Sequence, residues 1–389
     1  MMRAPSEKRT SLSLYLHFPF CVRKCRYCDF LSAPAGEEAR QDYIDTLCAE
    51  IALRGEQCRG EAPEAQIVSL FIGGGTPSLM SAAQLDRVME TVRRSFSLLP
   101  DAECSMEVNP GTADLQKLRA YRECGMNRLS IGVQSLHDRE LALLGRIHTA
   151  AQAEEIFRAA RDAGFSNLNV DLMSALPGQT FADWKYTLET AVSWGPEHIS
   201  AYSLQIEEGT PFYTMELPPL PAEDEDREMY HFTRAFLAEH GIFRYEISNY
   251  AAPGYECIHN KGYWTGRPYL GLGTGAASLF GNCRFHNPSD YALYKAAVTN
   301  RDLPARMCEK TALSPQDRME EFMFLGLRLT EGVSERDFLG RFGVPIGRVY
   351  GEVLEKHLKE GGLEKKGERY RLTEYGKDVA NTIMAEYLL

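Results

Sequence analysis

Three closely spaced cysteines restrict what this chain can fold into more than any other feature of its sequence. Cys21, Cys25 and Cys28 have the spacing C-x3-C-x2-C and follow residues 11–18, whose alternating apolar residues predict a β-strand. A short loop after a strand can gather three thiolates around one small centre. Iron–sulfur clusters are usually held by four cysteine thiolates. The motif therefore predicts a cluster in which one iron has no protein ligand.

Two alternative roles for the cysteines stay open on the residues alone. A structural zinc site usually takes four protein ligands in two spaced pairs, and no second C-x2-C pair follows in the sequence. Unreactive cysteines buried in a core are the second alternative. Arg23, Lys24 and Arg26 lie between the cysteines and suit thiolates better than an apolar interior does. The charged neighbours therefore favour the cluster.

Length and charge limit the classes of function. The chain has 389 residues, which predicts a large domain and a smaller one, and its net charge of -11 argues against non-specific binding of nucleic acid. Residues 1–10 lack the apolar centre of a signal peptide. No stretch approaches the roughly 18 apolar residues of a membrane span. Ten cysteines without a secretory signal indicate a reducing compartment, so we expect a cytoplasmic protein.

Alternating strand and helix patterns predict the architecture of the first half. Six strand patterns precede residue 210, at residues 11–18, 67–72, 103–108, 128–133, 167–172 and 198–204. Strands separated by helices favour a parallel sheet, and reactive groups at the C-terminal ends of the strands fit an α/β barrel. We therefore predict an α/β fold with a partial (β/α)6 TIM-type barrel. Apolar spacing also predicts a helix over about residues 37–53, after the cysteines. Beyond residue 301, helix patterns that include residues 346–359 and two short strands at 363–366 and 369–372 predict a smaller winged-helix-like α+β domain.

The cysteines belong to a longer pattern over residues 15–30, Tyr-x-His-x-Pro-Phe-Cys-x3-Cys-x-Tyr-Cys-Asp-Phe. This pattern resembles the cluster motif of the radical SAM superfamily, in the branch that contains oxygen-independent coproporphyrinogen III oxidase and a family of heme chaperones. The resemblance implies a [4Fe-4S] cluster on Cys21, Cys25 and Cys28, with S-adenosylmethionine (SAM) on the fourth iron. Reductive cleavage of SAM would then yield a 5'-deoxyadenosyl radical, and the protein would position the cofactor.

Motifs at the ends of later strands match the SAM contacts of this branch. The run Gly73-Gly74-Gly75-Thr76-Pro77 lets the backbone approach a ligand, although tight turns often produce such runs. Glu107 could be a solvated acid and Arg146 a surface ion pair of little worth. The resemblance instead implies SAM contacts at Tyr15, Tyr27, Gly74, Gly75, Thr76, Glu107, Gln134, Arg146 and Asp171.

A second informative stretch runs from Cys257 to Trp264. Imidazole can ligate heme iron, and aromatic side chains can pack on a porphyrin. By itself, a histidine beside aromatic residues is more often a hydrogen-bonded structural histidine. The stretch matches the H-N-x-x-Y-W motif of the heme-chaperone family at each specified position. The resemblance therefore implies heme contacts at His259, Asn260, Tyr263 and Trp264.

The resemblance also suggests a division of the chain. We expect the radical SAM core in residues 1–215, a barrel extension with the H-N-x-x-Y-W segment in 216–300, and the C-terminal domain in 301–389. A winged helix suggests nucleic-acid binding, but a fold alone does not supply a function. In the related family this domain serves as a lid or an interaction surface, which we prefer.

Three hypotheses for function follow. The first is a heme chaperone of porphyrin metabolism that passes heme to respiratory or heme-storage proteins. The second is a coproporphyrinogen III dehydrogenase that decarboxylates two propionate side chains. Three features argue against the dehydrogenase. Phe30 stands at the position of the fourth oxidase cysteine, and only 20 residues precede Cys21, where the oxidase has an extended segment. The third feature is the H-N-x-x-Y-W motif. We therefore expect no dehydrogenase activity and assign no catalytic residue.

The third hypothesis is a DNA-binding regulator with a redox-sensing cluster, and the acidic balance ranks it last. Four properties stay open at this point: productive cleavage of SAM, covalent attachment of heme, a homodimer, and transient association with membranes through partner proteins. Nucleic acid is not among the partners that we expect.

Overall fold

The computed structural model describes residues 11–302 and 308–388. The strands are β1 (Ser11–Phe18), β2 (Phe20–Cys21), β3 (Ala33–Pro34), β4 (Gln66–Gly74), β5 (Leu98–Val108), β6 (Arg128–Gln134), β7 (Leu168–Ser174), β8 (His198–Ser203), β9 (Phe243–Arg244), β10 (Asn249–Ala251), β11 (Tyr269–Leu272), β12 (Ala277–Phe280), β13 (Cys283–His286), β14 (Cys308–Ala312), β15 (Val333–Ser334), β16 (Leu363–Lys366) and β17 (Arg369–Leu372).

The helices of the described residues are α1 (Glu37–Glu61), α2 (Ala82–Ser95), α3 (Leu115–Glu123), α4 (Asp138–Leu144), α5 (Ala150–Asp162), α6 (Phe181–Ser193), α7 (Pro211–Thr214), α8 (Glu223–Glu239), α9 (Ile258–Trp264), α10 (Tyr291–Thr299), α11 (Pro315–Gly326), α12 (Glu335–Phe342), α13 (Ile346–Lys359), α14 (Glu374–Asp378) and α15 (Ala380–Ala385). None of these helices combines the length and the apolar composition that crossing a membrane requires.

The chain divides into two compact units, and the first contains the cysteine loop. It comprises the residues up to Leu168, Ile206–Glu216 and Arg267–Thr311. Its strands follow the order β14-β13-β12-β11-β1-β4-β5-β6. Strand β1 runs parallel to β4 and β11, and β5 runs parallel to β4 and β6. Because parallel strands end at a common edge, the segments after β1, β4, β5 and β6 meet there.

Burial of β1 on both faces explains its position inside the sheet. Leu12, Leu14 and Leu16 are fully buried, and Ser13 between them is buried too. Parallel sheets need cover on both faces. The buried hydroxyl of Ser13 has a hydrogen-bond partner, because the Ser69 hydroxyl of β4 donates to it over 2.8 Å. The cysteine loop therefore begins from one of the least exposed strands of the unit.

A buried carboxylate on α1 fixes the turn after β11. The Glu50 oxygens accept hydrogen bonds from the Gly273 amide at 2.6 Å, the Tyr294 hydroxyl at 2.7 Å and the Asn287 side chain at 2.7 Å. Arg54 lies 3.8 Å away and is likewise buried. Burial raises the pKa of the Glu50 carboxyl, and the Arg54 charge and the hydrogen bonds oppose that rise. The carboxylate is thereby satisfied within the core.

The same helix also supports the residue that precedes the cysteine loop. The buried Tyr43 hydroxyl donates to the carbonyl of His17 over 2.7 Å. Gly273 has a φ of +102°, and a Cβ there would collide with Tyr43. Only glycine therefore lets this turn approach α1 so closely.

The second unit comprises Asn169–Gln205, Leu217–Gly266 and Ala312–Leu389. Strands β7 and β8 are parallel, whereas β8, β10 and β9 pair antiparallel. Its C-terminal part has the antiparallel sheet β15-β17-β16 with α11 to α15 around one apolar cluster. A bridge from Glu246 to Leu329 joins this part to the segment before α9.

The predicted fold class is confirmed at the level of its architecture. The unit that carries the cysteines has a mostly parallel sheet covered by helices, and the C-terminal part has helices with the predicted pair of short strands, β16 and β17. The short strand β15 adds a third strand to that pair, which the sequence did not predict. Among the described strands, no sheet closes on itself, as a partial barrel requires. The boundaries that we placed after residues 215 and 300 remain a prediction.

Candidate functional site

The cysteine loop begins where β1 ends, at the common edge of the parallel strands. Cys21 closes β2, which pairs with β3, and the thiols of Cys21, Cys25 and Cys28 are each partly exposed. Burial raises the pKa of the Cys28 thiol to about 11. A thiolate in such a position is favoured by a cationic partner, and iron supplies one. Three accessible thiols on one loop fit an iron–sulfur cluster.

The middle of the cysteine loop is held on both sides by hydrogen bonds from other segments. The Arg26 amide donates to the carbonyl of Leu144 over 3.0 Å, and the Arg26 carbonyl accepts from the Phe212 amide over 3.0 Å. The Arg23 side chain donates to the carbonyl of Gly145 over 2.9 Å. These bonds fix the backbone between the cysteines without any ligand.

The glycine run after β4 lies directly against the chain that leads into Cys21. Gly74 has a φ of +116°, and a Cβ on it would lie 2.5 Å from the His17 ring. A Cβ on Gly75 would lie 2.6 Å from the carbonyl oxygen of Phe20. The Gly75 amide also donates to the carbonyl of Phe18 over 2.8 Å. Both positions require glycine, and both residues are partly exposed at the sheet edge.

Glu107 is oriented by this glycine run. The Gly74 amide donates to its Oε2 over 3.0 Å, and a Cβ on Gly73 would lie 2.9 Å from its Oε1. The carboxylate is partly exposed at the end of β5. It can therefore accept further charge-assisted hydrogen bonds, as a SAM ammonium group would need.

A polar cluster joins the ends of β4, β5 and β6. The Asn109 side chain donates to the Thr76 hydroxyl over 3.0 Å and accepts from Arg146 over 2.9 Å. Arg146 also donates to the carbonyl of Gly132 over 2.6 Å and to the Cys25 sulfur over 3.7 Å. A cavity of about 20 Å³, with room for about one water molecule, is bordered by Cys25, Thr76, Asn109 and Arg146.

Gln134 ends β6 in a strained conformation. Its φ is +68°, in a region that non-glycine residues rarely occupy. Its Nε2 would lie 3.2 Å from a Cβ on Gly132, and the Arg146 guanidinium equally so. Gln134 and Arg146 therefore approach the same point at the sheet edge. Such strain is concentrated at functional sites.

Of the two tyrosines expected to contact SAM, Tyr15 lies on β1 before the loop and Tyr27 lies within it, between Cys25 and Cys28. The Tyr15 hydroxyl and His17 Nδ1 are 3.0 Å apart, and His17 Nε2 lies 2.9 Å from the carbonyl of Leu31. Burial raises the pKa of Tyr27, and the charge of Arg146 opposes that rise. The first unit thus brings together eight of the nine residues expected to contact SAM. The ninth, Asp171, lies in the second unit.

Asp171 takes part in a hydrogen-bonded chain of side chains in that unit. Asn169 donates to Asp171 Oδ1 over 2.7 Å, and Asn169 Oδ1 lies 2.6 Å from Nδ1 of the buried His198. His198 Nε2 lies 2.9 Å from the Tyr245 hydroxyl. No pattern in the sequence indicated His198 or Tyr245, because their partners lie on other strands. Asn169, two residues before Asp171 on one strand face, was the only local signal.

The H-N-x-x-Y-W segment forms α9, and its histidine is covered. His259 is only 2% exposed. Its Nε2 lies 3.0 Å from the Tyr263 hydroxyl, and the two rings meet edge to face with centroids 5.0 Å apart. Cys257 caps the helix, because its sulfur accepts from the Asn260 amide over 3.5 Å. The spacing of His259 and Tyr263 places both side chains on one face of α9.

Trp264 is covered from the C-terminal part of the same unit. The Arg328 guanidinium lies 4.3 Å from the centroid of the Trp264 ring. Arg328 Nη2 also lies 3.5 Å from Oε2 of the buried Glu246. The Trp264 Nε1 is buried and has no hydrogen-bond partner among the described residues. The sequence could not reveal Arg328, which follows α11 far downstream.

Comparison with known proteins places these sites in a class. Residues 15–191 match the model of the Radical SAM superfamily, and residues 313–379 match that of the HemN C-terminal domain. The first match contains the cysteine loop and all the strand ends described above. The class is therefore that of radical SAM proteins, which implies a [4Fe-4S] cluster and SAM.

Full-length relatives identify the family. The heme chaperone HemW of Bacillus subtilis is 34% identical over 97% of this chain and 99% of its own length. That of Escherichia coli is 33% identical over 98% of this chain and 99% of its own. That of Mycobacterium tuberculosis is 34% identical over 96% of this chain and 94% of its own. The chain belongs to the family of the heme chaperone HemW.

A solved structure supports the fold alone. The coproporphyrinogen III oxidase HemN of Escherichia coli, a radical SAM enzyme, aligns with a TM-score of 0.83 over 98% of this chain and 90% of its own. The two sequences are 23% identical. The α/β architecture expected from the sequence is thus that of a radical SAM protein.

Proposed function

We propose that this protein is a heme chaperone, which binds heme and passes it to acceptor hemoproteins of the respiratory or heme-storage kind. The observation that carries the proposal is α9, where His259 and the aromatic side chains of the H-N-x-x-Y-W motif share one helix. The heme-chaperone name of the full-length relatives supports it. We place this activity in the cytoplasm.

The cysteine loop would hold the cluster, and the strand ends around it would hold SAM. We assign the [4Fe-4S] cluster to Cys21, Cys25 and Cys28. The glycine run and Glu107 suit the polar end of SAM, since the glycines carry no side chain to block its approach and Glu107 offers an oriented carboxylate. Arg146 and Gln134 would complete the contacts from β6. When bound, the cluster and SAM supply reductive cleavage chemistry, and we propose that here they regulate transfer.

Heme is the cargo in this proposal, with contacts from His259, Asn260, Tyr263 and Trp264. A neutral imidazole nitrogen is a heme ligand of the common kind, and a tryptophan or tyrosine ring can pack on the macrocycle. The Trp264 Nε1, which lacks a partner among the described residues, is a donor that a polar ligand group can use. We propose no decarboxylation of coproporphyrinogen III.

The test is a heme titration of the anaerobically reconstituted full chain, followed by absorbance, with coproporphyrinogen III turnover assayed in parallel. We expect tight heme binding that His259→Ala abolishes, without decarboxylated product. His240→Ala is the matched control, because His240 is exposed and lies at the end of α8. It should bind heme as the unchanged protein does.

Two results would overturn the proposal. One is decarboxylated product without stable heme binding, which would restore the dehydrogenase. The other is heme binding that both histidine variants retain, which would remove the H-N-x-x-Y-W segment as the heme site.

A further inference from the structure

The H-N-x-x-Y-W segment on α9, called the heme segment below, is covered in part by its own side chains and in part by the C-terminal part of the same unit. His259, the expected iron ligand, is 2% exposed, and its Nε2 is engaged by Tyr263 at 3.0 Å. One ring face of Trp264 is covered by Arg328. His259 is therefore not presented to a porphyrin in this conformation, and Arg328 blocks one ring face of the partly exposed Trp264.

We propose that Tyr263 and Arg328 hold the heme segment closed until heme arrives, so that admission of heme requires both contacts to separate. This inference rests on the proposed function, since it concerns the same segment. It gives Tyr263 the role of a competitor for the iron ligand. It gives Arg328 that of a positioning residue that acts through Trp264.

The competition at His259 follows from the chemistry of imidazole. Heme iron takes the lone pair of a neutral ring nitrogen. With its proton on Nδ1, His259 uses the Nε2 lone pair to accept the hydrogen bond of the Tyr263 hydroxyl. The same lone pair cannot serve both partners, so the hydrogen bond must break before the iron–nitrogen bond forms. The histidine therefore has two mutually exclusive states, one bonded to Tyr263 and one bonded to iron.

The contact at Trp264 is anchored by a buried charge. Glu246 is 1% exposed, and its Oε1 accepts from the Ser248 amide at 2.9 Å and from the Asn249 side chain at 2.6 Å. Its Oε2 faces Arg328 at 3.5 Å. An unpaired buried carboxylate is costly, which keeps Arg328 in place over the indole.

Further contacts connect the C-terminal part to the segments on both sides of α9. The Arg341 side chain donates to the carbonyl of Thr265 over 3.0 Å, one residue beyond α9. The Thr330 amide donates to the carbonyl of Tyr245 over 2.9 Å. The C-terminal part is therefore hydrogen-bonded to the chain on both sides of α9.

The experiment compares heme binding by the reconstituted full chain and its variants. Tyr263→Phe keeps the ring and removes the hydroxyl, so it should tighten heme binding about threefold to tenfold, the worth of one net hydrogen bond. Arg328→Lys keeps a charge for Glu246 but loses the planar stacking, so it should speed heme association. Damage to the fold would weaken binding, so a gain is specific to the proposal.

Matched controls and a second readout complete the test. Tyr375→Phe and Arg348→Gln change exposed side chains of the same C-terminal part and should leave heme binding unchanged. Hydrogen exchange in the heme-free protein should become faster in α9 for Tyr263→Phe and Arg328→Lys, and stay as it was in β16 and β17.

The outcomes separate this inference from the proposed function. Unchanged or weaker heme binding by Tyr263→Phe, in a protein that loses heme on His259→Ala, overturns the closed segment and leaves the chaperone standing. Heme binding that survives His259→Ala overturns both. Tighter binding by Tyr263→Phe with faster exchange in α9 supports both.

Discussion

The cysteine loop and the heme segment are prepared for their ligands in opposite ways. In the loop, the thiols are partly exposed, while the backbone at Arg26 is held by its hydrogen bond to the Leu144 carbonyl and by one from the Phe212 amide. In α9, His259 is buried and bonded to Tyr263, and one ring face of Trp264 is covered by Arg328. A resident cofactor needs a fixed site, whereas cargo must be both taken up and released. The difference between the two sites therefore fits a cofactor that stays bound at the loop and a cargo that α9 binds and releases.

Preorganisation explains the energetic side of the contrast. A site whose backbone is already fixed loses little entropy when its ligand binds. A covered site must first break its internal contacts, which lowers its apparent affinity by the fraction of time it is open. The first arrangement favours retention, and the second favours exchange.

The largest effect should come from removing one cysteine of the loop. Cys25→Ala takes away one thiolate ligand and should reduce the iron and sulfide of the reconstituted protein to background. Heme binding should be retained, because α9 shares no residue with the loop. Cys283→Ala, a partly exposed cysteine outside the loop, is the control. Loss of heme binding together with the cluster would break the comparison.

The scaffold of the loop should depend on the buried carboxylate of α1. Glu50→Ala leaves Arg54 buried without its partner, which costs about 3–5 kcal/mol in free energy of unfolding. Denaturant unfolding of the variant measures this loss. Glu38→Ala, on the exposed face of the same helix, should change stability little. An equally stable Glu50→Ala would show that the network does not support the first unit.

SAM affinity should respond to the orientation of Glu107. Glu107→Gln removes a charged acceptor worth about 1.5–3 kcal/mol, so the Kd for SAM should rise about tenfold to a hundredfold. Calorimetry on the reconstituted protein measures it. Asp101→Asn alters an exposed acid on the same strand and serves as control. If both variants bind SAM alike, Glu107 is not part of the prepared site.

The smallest effect should appear at low pH in the C-terminal part. Partial burial raises the pKa of Glu374, but Lys377 and Arg244 outweigh that and hold it at about 2. Its stabilisation is therefore complete above the usual pKa of about 4.3 and is lost as the pH falls toward 2. Because the side chain is 45% exposed, we expect less than about 1 kcal/mol.

Glu374→Gln should lower the free energy of unfolding slightly at pH 7, and the difference should vanish near pH 2. Glu355→Gln, an exposed glutamate of α13, gives the baseline. A difference that persists unchanged into acid would mean that the charge of Glu374 contributes nothing.

Local pattern predicts most of the elements, and long-range pairing explains the exceptions. The strands β16 and β17 and the helix α13 begin and end where their patterns predict. The apolar spacing predicts that helix α1 ends at residue 53, but the helix continues to Glu61. This spacing stops after Ile51 because Glu50 and Arg54 face the core there. Their partners follow β11, where no local pattern could indicate them.

The candidate functional site shows the same limit of prediction from local sequence pattern. Placement within one loop or helix could be predicted, as with the three cysteines on one loop and His259 and Tyr263 on one helix. The cover over Trp264 could not, because Arg328, which lies over the ring, and Glu246, which pairs with Arg328, come from separate segments. Spacing along a helix places side chains on one face but does not say whether they bond one another or a ligand. The burial of His259 results from tertiary packing, so it could not be predicted from local sequence pattern.

The two backbone hydrogen bonds at Arg26 bear on how the protein withstands exposure to oxygen. One of them comes from residues 206–216, a segment far downstream of the cysteines. A nick or a chemical modification in that segment would free one edge of the loop while every thiol remained intact. The cluster would then meet oxygen sooner. We therefore expect the oxygen tolerance of a cluster on this loop to depend in part on residues outside the loop.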